Sequence, residues 1–360
     1  MTLTHRGLAA ATPRVEVYDT IVVGGGQAGL AAGYHLAKHD ADFLILDQAS
    51  GVGDSWRKRW DSLRLFTPAE LSALPGMRFP ADPMHVPDKD EVADYLQRYA
   101  ERFDLPIRGN AKVDALTWNG DFYVLATDRV TYFANNVIVA TGPFQRPRVP
   151  RIASDLPRSV HQIHSSAYRN PLDLPDGPVL VVGVGNSGAQ IAMELARTRR
   201  VWLSGRESGY LKRRFLGRDI YRWIWPAFTR FSADTRIGRR LKARSLRTDP
   251  LIGITPSELT ASGLTRVGRF TEVRDGLPYC GNETIDPGIV IWCTGFDPDY
   301  SWIQLPVLDV DGYPRHERGM VANAPGLYFV GLRFQHRKTS SLIGGVGADA
   351  EFITDRIRSS

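Results

Sequence analysis

The sequence predicts an α/β protein made of two doubly wound units with parallel sheets. Three observations carry that expectation. Two glycine turns, GGGQAG at 24–29 and GVGNSG at 183–188, each follow a short apolar run and precede a stretch with helical spacing. Two further runs, VIVATG at 137–142 and IVIWCTG at 289–295, are almost continuously apolar, as strands buried on both faces must be. At 360 residues the chain is too long for one typical core and suits two domains.

In chain order, DTIVV at 19–23 reads as the first strand and LAAGYHLAKHD at 30–40 as the helix after the turn. Between them, Gly24 makes the tight turn, Gly26 lets the backbone approach a pyrophosphate, and Gly29 lets helix and strand pack closely. The helix N-terminus offers unpaired N–H groups and partial positive charge to the phosphates. The next strand, DFLILD, ends in Asp47, eighteen positions past Gly29, where an acidic residue binds a ribose hydroxyl. The second unit repeats this with PVLVVG at 178–183, then Gly183, Gly185 and Gly188, then AQIAMELARTRR. Its next strand, VWLSGR, ends in Ser204 and Arg206 and has no acid there. An arginine at that place suits a 2′-phosphate. The first turn is therefore expected to hold FAD and the second NADPH, and one chain with both implies electron transfer from nicotinamide to flavin.

Charge and cysteine content bound the rest. The net charge is +6 and the pI about 9.3, which anionic cofactors alone would explain. Cys280 and Cys293 give neither a disulfide framework nor metal-ligand spacing. No signal peptide and no apolar run of membrane-spanning length is visible, so a cytoplasmic protein is expected. No nucleic-acid-binding fold is present.

With these motifs in order, the chain resembles the class B flavoprotein monooxygenases, specifically the small bacterial proteins similar to flavin-containing monooxygenases. The carriers are GGGQAGLAAGYHL, GDSWRKRWDSLRLFTP, VIVATG, HSSAYR, GVGNSG, IWCTGF and GLYFVGL, over about 18–356. The resemblance implies two interleaved Rossmann-like dinucleotide-binding domains. A discontinuous FAD-binding domain would occupy 18–150 and 299–360, after a flexible N-terminus at 1–17. The NADPH-binding domain would fill 151–298. The Pro-rich stretches GPFQRPRVP and DPDY fall at the two crossings.

The resemblance also implies the contacts. In the first unit they are Gly24, Gly26, Gln27, Ala28, Gly29, Asp47, Gln48, Trp56, Leu63, Thr67, Val113, Ala140, Thr141, Gly142, Gly331 and Leu332, with Ser62 in the same flavin-side segment. In the second they are Gly183, Gly185, Asn186, Ser187, Gly188, Ser204, Arg206, Thr294 and Gly295. The helix after SSLIGGVG would aim its N-terminus at the flavin pyrimidine. His164 and Tyr168 match the family fingerprint, whereas Arg158 and Val160 replace its Phe and Gly; His164 reads as a hinge or as a structural histidine. Asn186, His164 and Tyr168 form the candidate catalytic set, with Asn186 positioning nicotinamide through its amide. His316 is expected to be exposed.

The implied reaction is oxygenation of a small organic substrate by O2 through a flavin C4a-(hydro)peroxide, with tyrosine at 168 leaning toward nitrogen or sulfur. Three alternatives stay open: Baeyer–Villiger oxygenation of a carbonyl, an NADPH oxidase or reductase without oxygen transfer, and a low-turnover flavin regulator of ion transport. A disulfide reductase is disfavoured, because the two cysteines are thirteen positions apart and form no C-x-x-C. A homodimer is a candidate assembly. The basic, aromatic insertion at 206–250 reads as an active-site cap, as a hairpin packed on its domain, or, not favoured, as a membrane-surface element.

Overall fold

The computed structural model describes residues 14–206, 209–247 and 250–359. The first sheet is built from β1 (Arg14–Val23), β2 (Phe43–Leu46), β3 (Ile107–Arg108), β4 (Ala115–Trp118), β5 (Tyr123–Ala126) and β6 (Val130–Val139). Their spatial order is β3-β2-β1-β6-β5-β4. β1, β2, β3 and β6 run parallel, and β4 and β5 form an antiparallel meander against the first half of β6. β1 pairs with β6 from Arg14 onward, so residues 14–17, expected in a flexible N-terminus, belong to the strand.

α1 (Gln27–Ala37), α2 (Asp54–Arg57) and α3 (Lys89–Arg102) follow the strands of this sheet. α3 starts where Asp88 and Glu91 form a capping box: Asp88 accepts from the Glu91 N–H at 3.0 Å and Glu91 accepts from the Asp88 N–H at 2.8 Å. Val92, Tyr95, Leu96 and Tyr99 recur at helical spacing and are buried with α1 in one core. A second core lies between Leu116, Tyr123, Leu125 and Tyr132 of the meander and the segment containing Tyr300, Ile303 and Val307.

The second sheet is wholly parallel. It contains β7 (His161–His164), β8 (Val179–Val182), β9 (Val201–Ser204), β10 (Thr265–Val267) and β11 (Ile289–Trp292), in the order β10-β9-β8-β11-β7. α4 (Asn186–Leu195) buries Ala189, Ile191, Ala192 and Leu195 against one face. Leu156, Phe270, Cys280 and Ile285 cover the other. Between β9 and β10 lie α5 (Ile220–Arg230), α6 (Arg236–Arg247) and α7 (Pro256–Ala261).

The chain then returns. β12 (Leu327–Phe329) pairs in parallel with the last residues of β6, Val137–Val139, the half of that edge the meander leaves open. α8 (Gly347–Arg358) lies beside α1. The outgoing and returning segments pair where they cross: Pro147 faces Phe296 and Arg146 faces Asp297, antiparallel. Arg148 donates to Asp297 at 2.7 Å, and its N–H to the Gly295 carbonyl at 3.0 Å. Among the described residues no helix is long and apolar enough to cross a membrane.

Candidate active site

At the C-terminal edge of the first sheet, β1 runs into the turn 24–29. Gly24 holds φ +111°, and a Cβ there would lie 2.6 Å from the Ala140 carbonyl oxygen at the end of β6. A Cβ on Gly29 would collide with the Gly24 carbonyl oxygen, so α1 starts tight against the turn. A Cβ on Gly26 would meet nothing within 4 Å. Two glycines are thus demanded by packing, and the middle one leaves space above the first N–H groups of α1, which have no helical acceptor. No acidic side chain in the first turn of α1 occupies that role.

Asp47, at the end of β2, braces the turn. It accepts from the Gly25 N–H through one oxygen and from the Ala49 N–H, at 2.7 Å, through the other. A carboxylate has about four lone-pair sites, so it keeps capacity for a ribose hydroxyl. Gly142 after β6 and Gly331 after β12 hold φ +71° and +89°. A Cβ on Gly331 would lie 2.8 Å from that of Ala28. Gly24, Gly26, Gln27, Ala28, Gly29, Asp47, Ala140, Thr141, Gly142 and Gly331 therefore meet where the parallel strands end, the crevice in which open α/β sheets take ligands.

The second turn repeats the design. A Cβ on Gly183 would collide with the Cys293 carbonyl oxygen and one on Gly188 with the Gly183 carbonyl oxygen, whereas one on Gly185 would meet nothing within 4 Å. Beside this turn a cleft of about 530 Å³ is lined by Gly183, Gly205, Arg206 and Thr294, and by Arg148 and Arg269. Among the described residues no acid lines it. Sequence reasoning found Arg206 but missed Arg148 and Arg269. The available signal for Arg269 was its position just past β10, the strand paired with β9.

Several expected contacts are corrected. Ser204 is fully buried, donating to the Gly268 carbonyl at 2.8 Å and accepting from the Phe270 N–H at 3.0 Å. Its hydroxyl fastens a loop to β9, and the residue lines the cleft beside Gly205 and Arg206. Tyr168 is 1% exposed and donates to Glu194 on α4 at 2.7 Å, so it lies in the core between α4 and the second sheet, out of a substrate's reach. Burial, followed by the Glu194 hydrogen bond, pushes its phenol well above its usual range. Asn186 opens α4, but its amide reaches sideways: it donates to the Pro250 carbonyl at 3.2 Å and accepts from the Ile252 N–H at 2.9 Å. It clamps the end of the insertion to the nucleotide turn. Ser187 is partly buried in the first turn of α4.

His164 sits at the crossing. Its Nε2 lies 3.0 Å from the Gly295 carbonyl, an acceptor only, so Nε2 carries the proton; Nδ1 accepts from the Ser166 N–H at 3.1 Å. Burial lowers its pKa, and Arg59 adds to the effect. Phe296 packs edge-on against the ring at 4.9 Å. With both nitrogens engaged, His164 ties β7 to the returning segment at Gly295.

In the flavin-side segment, Trp56 packs against the cores of both sheets, and Leu63 is buried in the second with Trp60, which sequence reasoning did not single out. The Thr67 hydroxyl is 2.9 Å from that of Ser72. Ser62 and Gln48 are exposed. Val113 and Leu332 are core residues, leaving only their backbone for a nucleotide. His316, expected to be exposed, is half-buried and accepts from the Gly319 N–H at 3.1 Å; burial, then Lys242, pushes its pKa down to about 4. The N-terminus of α8 is shared with the buried Asp349 in its own first turn.

The insertion crosses from the second sheet onto the first domain. Arg213 donates to the Phe66 carbonyl at 2.7 Å, and Tyr221 stacks on Phe66 at 6.1 Å. The Ala233 N–H donates to the His336 carbonyl at 2.7 Å, and Arg333 to the Ser245 carbonyl at 2.9 Å.

A family model, pyridine nucleotide-disulphide oxidoreductase, matches residues 21–244. The chain belongs to this family. It is 43% identical over 347 residues to an uncharacterized oxidoreductase, CzcO-like, of Geobacillus kaustophilus, covering 95% of this chain and 99% of that one. An indole-3-pyruvate monooxygenase of Oryza sativa subsp. japonica is 27% identical, over 98% of this chain and 92% of its own. Among solved structures, a flavin-containing monooxygenase from Stenotrophomonas maltophilia matches with TM-score 0.75 and 26% identity, covering 96% and 99% of the two chains. The chain is a flavin-dependent oxidoreductase of the monooxygenase type, and its cofactors are FAD and NADPH. The disulphide chemistry for which the family is named has no counterpart in the cysteines of this chain, which are thirteen positions apart. Cys280 is buried in a core and Cys293 follows β11 beside Gly183, and burial raises the two thiols to about 11 and about 12.

Proposed function

We propose that this chain transfers one oxygen atom of O2 to nitrogen or sulfur of a small organic substrate. NADPH supplies two electrons by way of FAD, and the second oxygen atom leaves as water. The observation that carries the reading is the pair of complete cradles, Gly24–Gly29 and Gly183–Gly188, on separate sheets joined by a short paired hinge. Gly24–Gly29, with Asp47 behind the turn, would hold FAD, which would supply two-electron transfer from the nicotinamide and the activation of O2.

The chain's own residues bind, orient and shield. Arg206, Arg148 and Arg269 present guanidinium groups for a 2′-phosphate, which favours NADPH over NADH. His164 fixes the hinge, and the insertion over Phe66 keeps water from the flavin side. Since Tyr168 is buried, the preference for nitrogen or sulfur rests on the resemblance. Oxygenation at a carbonyl is the second reading, favoured by the 2-oxo acid for which the rice relative is named. We place the protein in the cytoplasm, in keeping with two unpaired thiols.

The test is rapid mixing of NADPH-reduced holoprotein with oxygenated buffer, without substrate. A lag before the oxidised flavin spectrum returns supports oxygen transfer. Immediate return with one peroxide per flavin would make the protein an oxidase or reductase.

A further inference from the structure

Residues 206–250 hold 13 Lys and Arg against four Asp and Glu, a net +9. The whole chain carries +6, so the other 315 residues sum to −3. All of the molecule's excess positive charge lies in one-eighth of its length.

The same segment displays apolar side chains. Arg214–Phe215 pairs antiparallel with Arg218–Asp219, leaving Leu216 and Gly217 at the tip of a hairpin. Phe215 is 55% exposed and Leu216 74%. Trp223, 47% exposed, packs edge to face on Phe215 with ring centres 6.2 Å apart, and its Nε1–H donates to the Phe215 carbonyl at 3.2 Å. Leu216 holds φ +50°, a conformation disfavoured for residues with a Cβ. Exposed Lys212, Arg214, Arg218 and Arg222 surround this tip in sequence. α6 adds exposed Arg236, Arg239, Arg240 and Arg244 and contains no acid.

An apolar, aromatic tip among cations fits the boundary between headgroups and acyl chains of an anionic bilayer, where the rings leave water and the guanidinium groups meet phosphates. Duplex nucleic acid would use the charge but has no place for Phe215 and Leu216. With the rest of the chain negative, repulsion from the same surface turns the insertion toward it. We propose that the hairpin 214–219, with Trp223, docks this protein peripherally on membranes containing anionic phospholipid.

The test is co-sedimentation of the FAD-loaded full chain with phosphatidylcholine vesicles, with and without phosphatidylglycerol, at physiological ionic strength. The expected result is binding that requires phosphatidylglycerol. It should fall at least about tenfold in the F215S/L216S double variant and again in R239E/R240E, since each removes one of the two forces. Flavin content and NADPH oxidation in solution should stay at the parent level, showing that both variants fold. Three outcomes would overturn the proposal: no sedimentation of the parent with anionic vesicles, undiminished sedimentation of the F215S/L216S variant, or binding to duplex DNA with none to vesicles.

Discussion

Gly26 and Gly185 separate cofactor binding from folding. A methyl group at either meets nothing in the protein, whereas one at Gly29 strikes a backbone carbonyl. Gly26→Ala should therefore fold with an unchanged apo melting temperature and bind FAD at least about tenfold more weakly, a loss of about 1.4 kcal/mol. Gly185→Ala should keep its flavin and raise the KM for NADPH by a similar factor, while Gly29→Ala should fail to accumulate as folded protein. Flavin content and steady-state kinetics check all three. Arg206→Ala should raise the KM for NADPH about ten- to a hundredfold, as loss of a charged hydrogen bond implies, and leave that for NADH nearly unchanged; equal effects on both would place the arginine away from the 2′-phosphate. Tyr168→Phe should cost about 1–3 kcal/mol of stability, because Glu194 loses its buried donor, at constant kcat. Gly24 and Gly183 were legible in the sequence because only one residue type satisfies a positive φ and a backbone contact together, and the spacing of the fingerprint then placed the other glycines. Tyr168 was misassigned because a motif position does not reveal which way a side chain points.

Among the elements, the insertion is tied at both ends of its reach: to α4 through Asn186 and to the first domain through Arg213 and Ala233. Asn186→Ala should leave FAD bound, speed proteolysis within 206–250 and raise peroxide release per NADPH oxidised. Unchanged proteolysis and unchanged coupling would contradict the clamp. β1, β6, β8, β11 and β12 were readable from apolar runs that end in glycine, since each is dictated by local sequence, whereas β3, β4, β5 and β7 carry no such run and were not singled out. The seat of the insertion was not, because Phe66, Asn186 and His336 are brought to it by contacts between segments far apart in the chain. The pairing of Arg14–Val17 with β6 was missed for a related reason: the alternation RVEV is short, and its partner lies more than a hundred residues on. His164, read from the sequence either as a hinge or as a structural histidine, lies where the two segments cross, with both ring nitrogens engaged.

Over the whole molecule, burial lowers the pKa of His35, His164, His316 and His336. Each binds a proton more weakly folded than unfolded, so below about pH 6.5 the unfolded chain takes up protons first and stability falls with pH. For His316 the loss continues to about pH 4. Asp349, whose pKa burial raises, works in the opposite sense. The melting temperature of the apo protein should therefore drop between about pH 6.5 and pH 4, and His316→Gln should shallow that slope; a flat profile would contradict the buried placement of these rings. The central claim concerns where the oxygen goes. The measurement that tests it most directly is turnover of a panel of amines, sulfides and ketones under isotopically heavy O2, with NADPH, peroxide and product counted together. The expected result is one heavy oxygen atom in the product for each NADPH oxidised. NADPH oxidation that yields only heavy peroxide and unlabelled substrate, across the whole panel, would contradict it.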